Sequence, residues 1–479
     1  MQKTKKLLSI LLSITLLLST IAGMNITAFA APTTGECGES ARFSFSTETG
    51  ALYITGSGSV TTYGYNEPDQ IVSVVIGDSI SEIGDFAFMD LKNLTSVTIG
   101  TGVKKIGNSA FSRSGLLAVV IPENVTTIDA FVFKDCKSLA RATVNGGTTL
   151  NSTFDGCTQL SSVTLAEGIK TIEGYTFGDC VSLTSITIPD SVTGISSHTF
   201  FGCTALQTVK FGTGADIPDN IFSDFSNLKN VTIPNGVKNI GRGAFSGSGL
   251  THISIPSSVE NIYIAAFEEC ASLTSATIRG ITNVGERAFS DCNKLTSVNL
   301  NEGVKTIESY AFGDCVSLRT VTIPDSVTSL SAYAFSGCSS LATIKLGSGV
   351  TDIDVFYFGD YPSLKNVYIF NKNAKISNEN AVSDDVILYC FDNSSAYKYA
   401  IRNSKNYVVI CKDRTTEHTF ETETFAPTCA SRGYTKNTCS VCGYYKYTDY
   451  IDELPHTPGE AVKENEVPAT CREKAHTTA

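Results

Sequence analysis

Apolar and polar side chains alternate in a short pattern that recurs along most of the chain. In residues 183–188, Leu183, Ile186 and Ile188 are separated by serine and threonine. A period of two predicts a β-strand that buries one face and exposes the other. Pro189 follows directly and ends the strand, because proline has no N–H to donate to a further ladder bond.

One phenylalanine marks each copy of this pattern, at a spacing of 21 to 23 residues. The thirteen copies contain Phe88, Phe111, Phe133, Phe154, Phe177, Phe200, Phe222, Phe245, Phe267, Phe289, Phe312, Phe335 and Phe358. Such a period is typical of a stacked array whose units cannot bury their apolar side chains alone. The sequence therefore predicts a repeat solenoid. It would be a leucine-rich-repeat-like array, mostly β and irregular, with a parallel β-sheet on one face.

A longer duplication includes several repeats at once. Residues 158–196 and 293–331 are near-copies offset by 135 residues. We interpret this offset as the duplication of a six-repeat block, which is more typical of a scaffold or binding array than of a catalytic centre.

Both ends of the array are predicted to carry caps, because an open sheet edge would invite association. Alternation in residues 43–54 predicts an N-terminal β-hairpin, and residues 386–411 predict a small α/β C-terminal cap with one helix between two strands. The predicted domains are a signal peptide (1–30), an N-terminal cap (31–70), thirteen repeats (71–370), a C-terminal cap (371–412) and Cys/His tail modules of which the second is incomplete (413–479).

The first thirty residues have the organisation of a secretory signal peptide. Lys3, Lys5 and Lys6 precede an apolar run at 7–18, and residues 28–30 form a small-residue cleavage motif. The apolar run is too short to span a bilayer comfortably. We therefore predict cleavage and export to the cell surface or the extracellular space, with no transmembrane segment remaining.

The negative net charge of the chain makes some classes of binding partner unfavourable. The formal net charge is −11, and removal of three lysines with the signal segment makes it −14. Phosphate backbones are bound by clustered lysine and arginine, so we expect no nucleic-acid partner. Tryptophan, a common platform for sugar stacking, is absent, whereas 19 tyrosines are present.

The repeat pattern LxxVxIPxxVxxIGxxAFxxCxx resembles the BspA-type leucine-rich repeat of bacterial surface proteins. The resemblance covers roughly residues 70–370, and the N-terminal segments CGES and TGALYITGSG resemble the cap that precedes such arrays. It implies a leucine-rich-repeat fold. It also implies a secreted or surface-attached protein that binds ligands on a host or a neighbouring cell.

Fifteen cysteines occur in the chain, and eight of them occupy one position of the repeat. These eight are Cys136, Cys157, Cys180, Cys203, Cys270, Cys292, Cys315 and Cys338. Other repeats carry serine, phenylalanine or tyrosine there, so the position is a space to be filled, and we predict buried free thiols. Disulfides between adjacent turns are the alternative. Cys390 and Cys411 flank the C-terminal cap and are a further candidate pair.

The tail has a different pattern of cysteine and histidine. The candidate metal ligands are His418, Cys429, Cys439, Cys442 and His456. Thiolate and imidazole groups are suitable ligands for tetrahedral zinc. An extracellular location instead favours a disulfide from Cys429 to Cys439 or Cys442. Both interpretations stay open. No other cofactor is predicted. The module restarts at His456 and would place its next cysteine at position 481, so we expect a fragment or a chain that ends inside a longer module array.

Signals for catalysis are weak, and we predict a protein that is not an enzyme. Five histidines occur, of which His198 and His252 lie in the array, and neither belongs to a nucleophile elbow or a zinc-protease motif.

The outward positions of the predicted sheet are the candidate ligand-binding face. They are mostly serine and threonine. Threonine is also common in strands because of its intrinsic β propensity, which would explain its presence here without a ligand. The candidate binding residues are Arg141, Thr187, Lys210, His252, Lys345 and Tyr368. We predict binding of an extracellular protein or glycan, in adhesion to a host or another cell. A structural spacer that displays other modules is the alternative, and the non-catalytic part of a larger secreted enzyme is a more distant one.

Overall fold

The computed structural model divides the chain into two compact units, residues 1–163 (unit 1) and 164–479 (unit 2). Each unit is described by itself. The structure describes residues 33–61, 68–280, 283–353, 361–376, 378–379, 381–428 and 431–454. The predicted signal peptide lies outside the described residues.

Unit 1 begins with an antiparallel hairpin that starts the parallel ladder. Its strands are β1 (Thr33–Glu36), β2 (Ala41–Ser46), β3 (Ala51–Gly56), β4 (Gly58–Val60), β5 (Ser73–Ile76), β6 (Ile80–Ile83), β7 (Ser96–Thr98), β8 (Lys105–Ile106), β9 (Ala118–Ile121), β10 (Thr127–Ile128), β11 (Arg141–Val144) and β12 (Thr149–Asn151), with a 3-10 turn at Pro68–Gln70. Strand β2 pairs antiparallel with β3, and β3 pairs parallel with β5. The predicted N-terminal hairpin is therefore confirmed.

Unit 2 contains further turns of the solenoid, each one repeat long, and ends in a separate small sheet. Strand β13 (Ser162–Leu165) contains the boundary between the units, and the strands after it are β14 (Thr171–Glu173), β15 (Ser185–Thr187), β16 (Gly194–Ile195), β17 (Thr208–Lys210), β18 (Asn230–Thr232), β19 (Asn239–Ile240), β20 (His252–Ile255), β21 (Asn261–Ile262), β22 (Ser275–Ile278), β23 (Asn283–Val284), β24 (Ser297–Leu300), β25 (Thr306–Ile307), β26 (Thr320–Ile323), β27 (Ser329–Leu330), β28 (Thr343–Leu346), β29 (Asn366–Ile369), β30 (Ile387–Cys390), β31 (Tyr407–Val409), β32 (Phe420–Phe425), β33 (Gly433–Cys439) and β34 (Tyr445–Ile451). The only α-helix among the described residues is α1 (Ser395–Arg402).

Most turns contribute two strands, a longer one to one parallel ladder and a shorter one to a second parallel ladder. In unit 2 the longer strands pair as β15–β17–β18, β20–β22–β24 and β26–β28–β29–β30–β31, and the two-residue strands pair as β19–β21–β23–β25–β27. Unit 1 has the same arrangement, with β9–β11 as a long pair and β6–β8–β10 as a short ladder. This is a leucine-rich-repeat-type β-solenoid, as predicted, but the ladder of short strands was not predicted.

The phenylalanine of each repeat forms the centre of the core. Twelve of the thirteen lie in the described residues and are at most 1% exposed, and Phe358 lies outside them. Within each unit, successive rings stack with centroids 4.9 to 5.7 Å apart. Stacking of this kind adds to the free energy gained by burial, because the apolar ring faces are removed from water.

The chain turns sharply around each phenylalanine of the described residues by placing the residue two positions after it in the left-handed region, and in most repeats also the residue two positions before it. Arg287 (φ 54°) and Asp291 (φ 59°) flank Phe289 in this way. Left-handed residues on both sides of the ring reverse the chain twice within five residues. The phenylalanine is thereby held inward while its neighbours reach the surface.

The C-terminal cap is built as predicted, from strand, helix and strand. Strand β30 pairs parallel with both β29 and β31, so the cap extends the long ladder. Ser394 caps helix α1, since its Oγ accepts a hydrogen bond from the Tyr397 N–H at 3.1 Å. The tail strands β32, β33 and β34 form an antiparallel sheet.

A search of the described residues for a helix that is long and apolar enough to cross a membrane finds none.

Candidate functional site

The candidate binding residues lie on the outward side of the long strands. In unit 2, Thr187 pairs with Lys210, and Lys345 pairs with Tyr368, each at least partly exposed. His252 is exposed at the start of β20. Arg141 belongs to unit 1, where it is exposed on β11 opposite Ala118. Apolar residues between these positions, such as Val209, point inward and are buried.

A tyrosine patch, consisting of Lys345, Tyr368 and Tyr389, interrupts the threonine-rich face in unit 2. Tyr368 and Tyr389 are direct neighbours on β29 and β30, with ring centroids 4.1 Å apart and planes inclined by 10°. The Nζ atom of Lys345 lies 5.1 Å from the Tyr368 centroid, at cation–π distance. Tyr389 was missed from the sequence because its strand was assigned to the cap rather than to the binding face.

The tyrosine patch presents hydrogen-bond donors at neutral pH. Partial burial, followed by the neighbouring Tyr389 phenol, raises the pKa of Tyr368 above its ordinary value. The Tyr368 hydroxyl therefore keeps its proton, and the patch carries the positive charge of Lys345 on an otherwise acidic protein.

A second group of exposed aromatic residues lies at the turns on the phenylalanine side. Phe201 is 60% exposed, and the Tyr175 ring lies 5.8 Å from it and 5.2 Å from the His198 ring. A shallow cleft of about 460 Å³ borders His198 and Phe201. Ser197 Oγ is 3.2 Å from His198 Nδ1, a contact between sequence neighbours on an exposed turn rather than a built catalytic pair.

The repeat cysteines form columns of thiols in the core. All eight are buried and none forms a disulfide, and the Cys292 Sγ–H, for example, donates to the carbonyl oxygen of Phe267 at 3.2 Å. Where the neighbouring repeat carries serine, Ser248 Oγ lies 3.3 Å from Cys270 Sγ. Burial raises the pKa of Cys203 to about 12, so this thiol is unreactive. Buried thiols, rather than disulfides between turns, are what the structure shows.

A Cys/His cluster joins the tail to the C-terminal cap. It consists of Cys411, His418, Cys439 and Cys442, and their ligand atoms all lie within 4.8 Å of one another. Three of these were candidate ligands from the sequence, whereas Cys429 and His456 lie outside the described residues. Cys411 was not among the candidate ligands, because it was considered only as a candidate disulfide partner of Cys390. Both cysteines are free in the structure.

The cluster residues come from four different local structures. Cys411 follows β31, His418 precedes β32, Cys439 ends β33, and Cys442 lies in the turn before β34. Cys411 and Cys439 are buried, and the other two are half-buried. The end of β33 and the turn that follows it therefore supply two of the four cluster residues.

Hydrogen bonds lower the pKa of one thiol of the cluster and orient its histidine ring. Burial raises the pKa of Cys439, but this is outweighed by the N–H groups of Cys442 and Val441 and by the His418 ring, so the pKa falls to about 6. The His418 Nε2 atom is 3.0 Å from the Val409 carbonyl oxygen, to which it donates. The Nδ1 atom of His418 faces Cys442 Sγ at 3.4 Å.

Comparison with known proteins agrees with this leucine-rich-repeat solenoid. The family model of the BspA type leucine rich repeat region, six repeat copies long, matches residues 58–152, 147–274 and 260–384. The chain belongs to this family. No curated protein matches it.

Solved structures of leucine-rich-repeat proteins are also similar to the chain. A leucine rich cell surface protein from Faecalibacterium prausnitzii is 26% identical, with 71% of this chain and 95% of that chain covered and a TM-score of 0.30. A leucine-rich repeat protein from Bacteroides ovatus is 20% identical, with coverages of 81% and 100% and a TM-score of 0.40. The pneumococcal vaccine antigen PcpA is 17% identical, with coverages of 79% and 99% and a TM-score of 0.32.

Proposed function

We propose that the protein is exported to the cell surface or secreted, and that it binds an extracellular ligand through the outward face of its long strands in unit 2. Membership of the BspA-type family and the signal-like residues 1–30 support the location. The tyrosine patch is the observation that supports binding. It places two tyrosines and a lysine side by side on a face that is otherwise mostly threonine and serine.

The geometry of the tyrosine patch favours a protein ligand over a glycan. Sugars stack on free ring faces, but the two tyrosine rings cover each other, and Lys345 lies over Tyr368. The ring edges, the hydroxyl groups and the ammonium group of the patch suit backbone carbonyls and carboxylates of a protein. Tyrosine is among the residues that most often dominate the binding energy of protein interfaces.

The rest of the face contributes weakly at each position. Thr187 and Thr322 are exposed but short, and each offers only one hydroxyl group to a ligand that crosses the strands. Binding by such a surface is strengthened by multiplicity when the ligand or the protein is displayed in many copies. The protein has no catalytic role in this proposal, and His198 and His252 are solvent-exposed surface residues.

The test is a binding screen of the mature chain against host matrix proteins, mucins, glycans and bacterial surface fractions. A saturable protein ligand should bind at least about tenfold more weakly to the double variant Tyr368→Ala/Tyr389→Ala, since truncated interface tyrosines cost on the order of 2 kcal/mol. Thr232→Ala is the matched control, because it lies on the same face but outside the tyrosine patch. The control should bind normally.

Two outcomes would argue against this proposal. A folded chain that binds nothing in the screen would favour a structural spacer that displays other modules. A glycan ligand whose binding is unchanged by the double variant would place recognition elsewhere on the surface.

A further inference from the structure

The Cys/His cluster has the composition and the spacing of a closed metal site. Three thiols and one imidazole are a ligand set of structural zinc, which takes four protein ligands in a tetrahedron. With zinc–sulfur bonds of about 2.3 Å and zinc–nitrogen bonds of about 2.0 Å, the tetrahedral edges are about 3.8 Å for two sulfurs and about 3.5 Å for sulfur and nitrogen. Cys411 Sγ and Cys439 Sγ are 3.8 Å apart, and Cys442 Sγ and His418 Nδ1 are 3.4 Å apart.

The surroundings of the cluster orient its ligands as in zinc proteins. A histidine that binds zinc through one ring nitrogen usually donates from the other to a carbonyl or carboxylate oxygen. His418 meets this requirement, since its Nε2 donates to the Val409 carbonyl oxygen at 3.0 Å. Val409 ends β31, so the last strand of the long ladder fixes the imidazole.

The turn between β33 and β34 presents two of the thiols together. The Gly443 N–H donates to the Cys439 carbonyl oxygen at 2.9 Å, and Gly443 takes a left-handed conformation with φ 77°. This turn brings the thiols at positions 439 and 442 to the same side. A Cys-x-x-Cys turn of this kind supplies half of a tetrahedral set in many structural zinc sites.

We propose that the Cys/His cluster is a structural zinc site that fastens the tail sheet to the C-terminal cap. Cys411 is joined directly to the cap, whereas Cys439 and Cys442 belong to the tail sheet, so one bound ion would connect the two. The thiol groups lose their protons on binding, and the four protein ligands leave no open position for a substrate. The site is separate from the tyrosine patch and does not depend on the proposed binding function.

The first measurement is the zinc content of the full mature chain, expressed with zinc and purified without chelators. Cys411→Ser and Cys442→Ser should each lose about one zinc per chain relative to the unmodified protein. Cys390→Ser is the matched control, because Cys390 is also buried in the cap but lies outside the cluster, and it should keep the metal. Cys429→Ser should keep it as well.

A second measurement uses the unmodified chain, in case the serine variants fail to fold. Cobalt(II) should give the thiolate charge-transfer and d–d absorption of a tetrahedral complex. Chelation should speed proteolytic cleavage between residues 412 and 417, where the chain passes from the cap to the tail.

The proposal has clear contrary outcomes. Loss of zinc in Cys429→Ser together with retention in Cys411→Ser would move the fourth ligand to position 429. A disulfide between any two cysteines of the cluster in the exported protein, with no metal bound, would replace the zinc site by a covalent link.

Discussion

The sharp bend around each buried phenylalanine depends on single residues in the left-handed region. Two positions after the phenylalanine, most repeats carry aspartate or glycine, as at Asp314 and Gly337, and both residues tolerate positive φ. The left-handed residue after the phenylalanine can therefore be predicted from the recurring aspartate or glycine in the sequence. Two positions before the phenylalanine, the same conformation is imposed on Tyr310 and Arg287, residues that do not favour it. That strain cannot be predicted from the letters, because the packing of neighbouring turns enforces it.

Gly202→Ala tests the cost of this bend. Gly202 has φ 76°, and an added Cβ would lie 2.2 Å from the Asp179 Oδ1 atom and 3.1 Å from its Cα. We expect the free energy of unfolding to fall by about 1–2 kcal/mol, because a left-handed alanine is strained. Gly194→Ala is the control, since its added Cβ would meet only Thr171 Cγ2 at 3.4 Å. Urea unfolding of both variants measures the difference, and equal stability would contradict this account.

At the scale of elements, alternation in the sequence identifies the long strands but not the short ones. Val209 and Ile344 are buried between outward residues, as the period of two predicts. The short strands Asn261–Ile262 and Thr306–Ile307 contain only two residues each, too few to show a period. They become strands because adjacent turns bring their backbones within hydrogen-bonding distance. The outward column of the binding face was predicted as far as Tyr368 but not to Tyr389, because the strand that carries Tyr389 was assigned to the cap.

The cysteine columns should behave as unreactive core elements. We expect the eight repeat cysteines of the native chain to resist iodoacetamide and to react fully only after denaturation, because their side chains are at most 1% exposed. Mass spectrometry of alkylated peptides measures the protection of each site. Disulfide-linked peptides from adjacent turns, or rapid labelling of the folded protein, would show that the columns are oxidised or accessible.

At the scale of the molecule, one side chain far along the sequence attaches the tail segment to the repeats of unit 2. Arg414 forms an ion pair with Asp325, and its guanidinium lies 4.4 Å from the centroid of the Phe370 ring. Positions 325 and 414 are 89 residues apart, far more than the 21 to 23 residues of one repeat. Repeat analysis therefore could not predict this contact, just as it could not bring Cys411 to the tail cysteines.

Arg414→Ala should loosen the segment between the cap and the tail. The ion pair and the cation–π contact are partly exposed, so their joint loss should cost about 1 kcal/mol. Hydrogen exchange in peptides covering residues 411–420 should become about fivefold faster. Arg432→Ala removes a more exposed ion pair with Asp452, away from this segment, and should leave these peptides unchanged. Unaltered exchange in Arg414→Ala would mean that the segment is held by other contacts.

The repeat geometry also sets an order of assembly. Side-chain hydrogen bonds between neighbouring turns join residues 19 to 27 positions apart, so each turn needs only the preceding stretch of chain in order to form. Contacts this local favour fast folding that spreads from any completed turn to the next. The Arg414 contact must instead wait until the turn that contains Asp325 has formed. Docking of the tail is therefore a late event, and its completion reports that the last turns of the array are already in place.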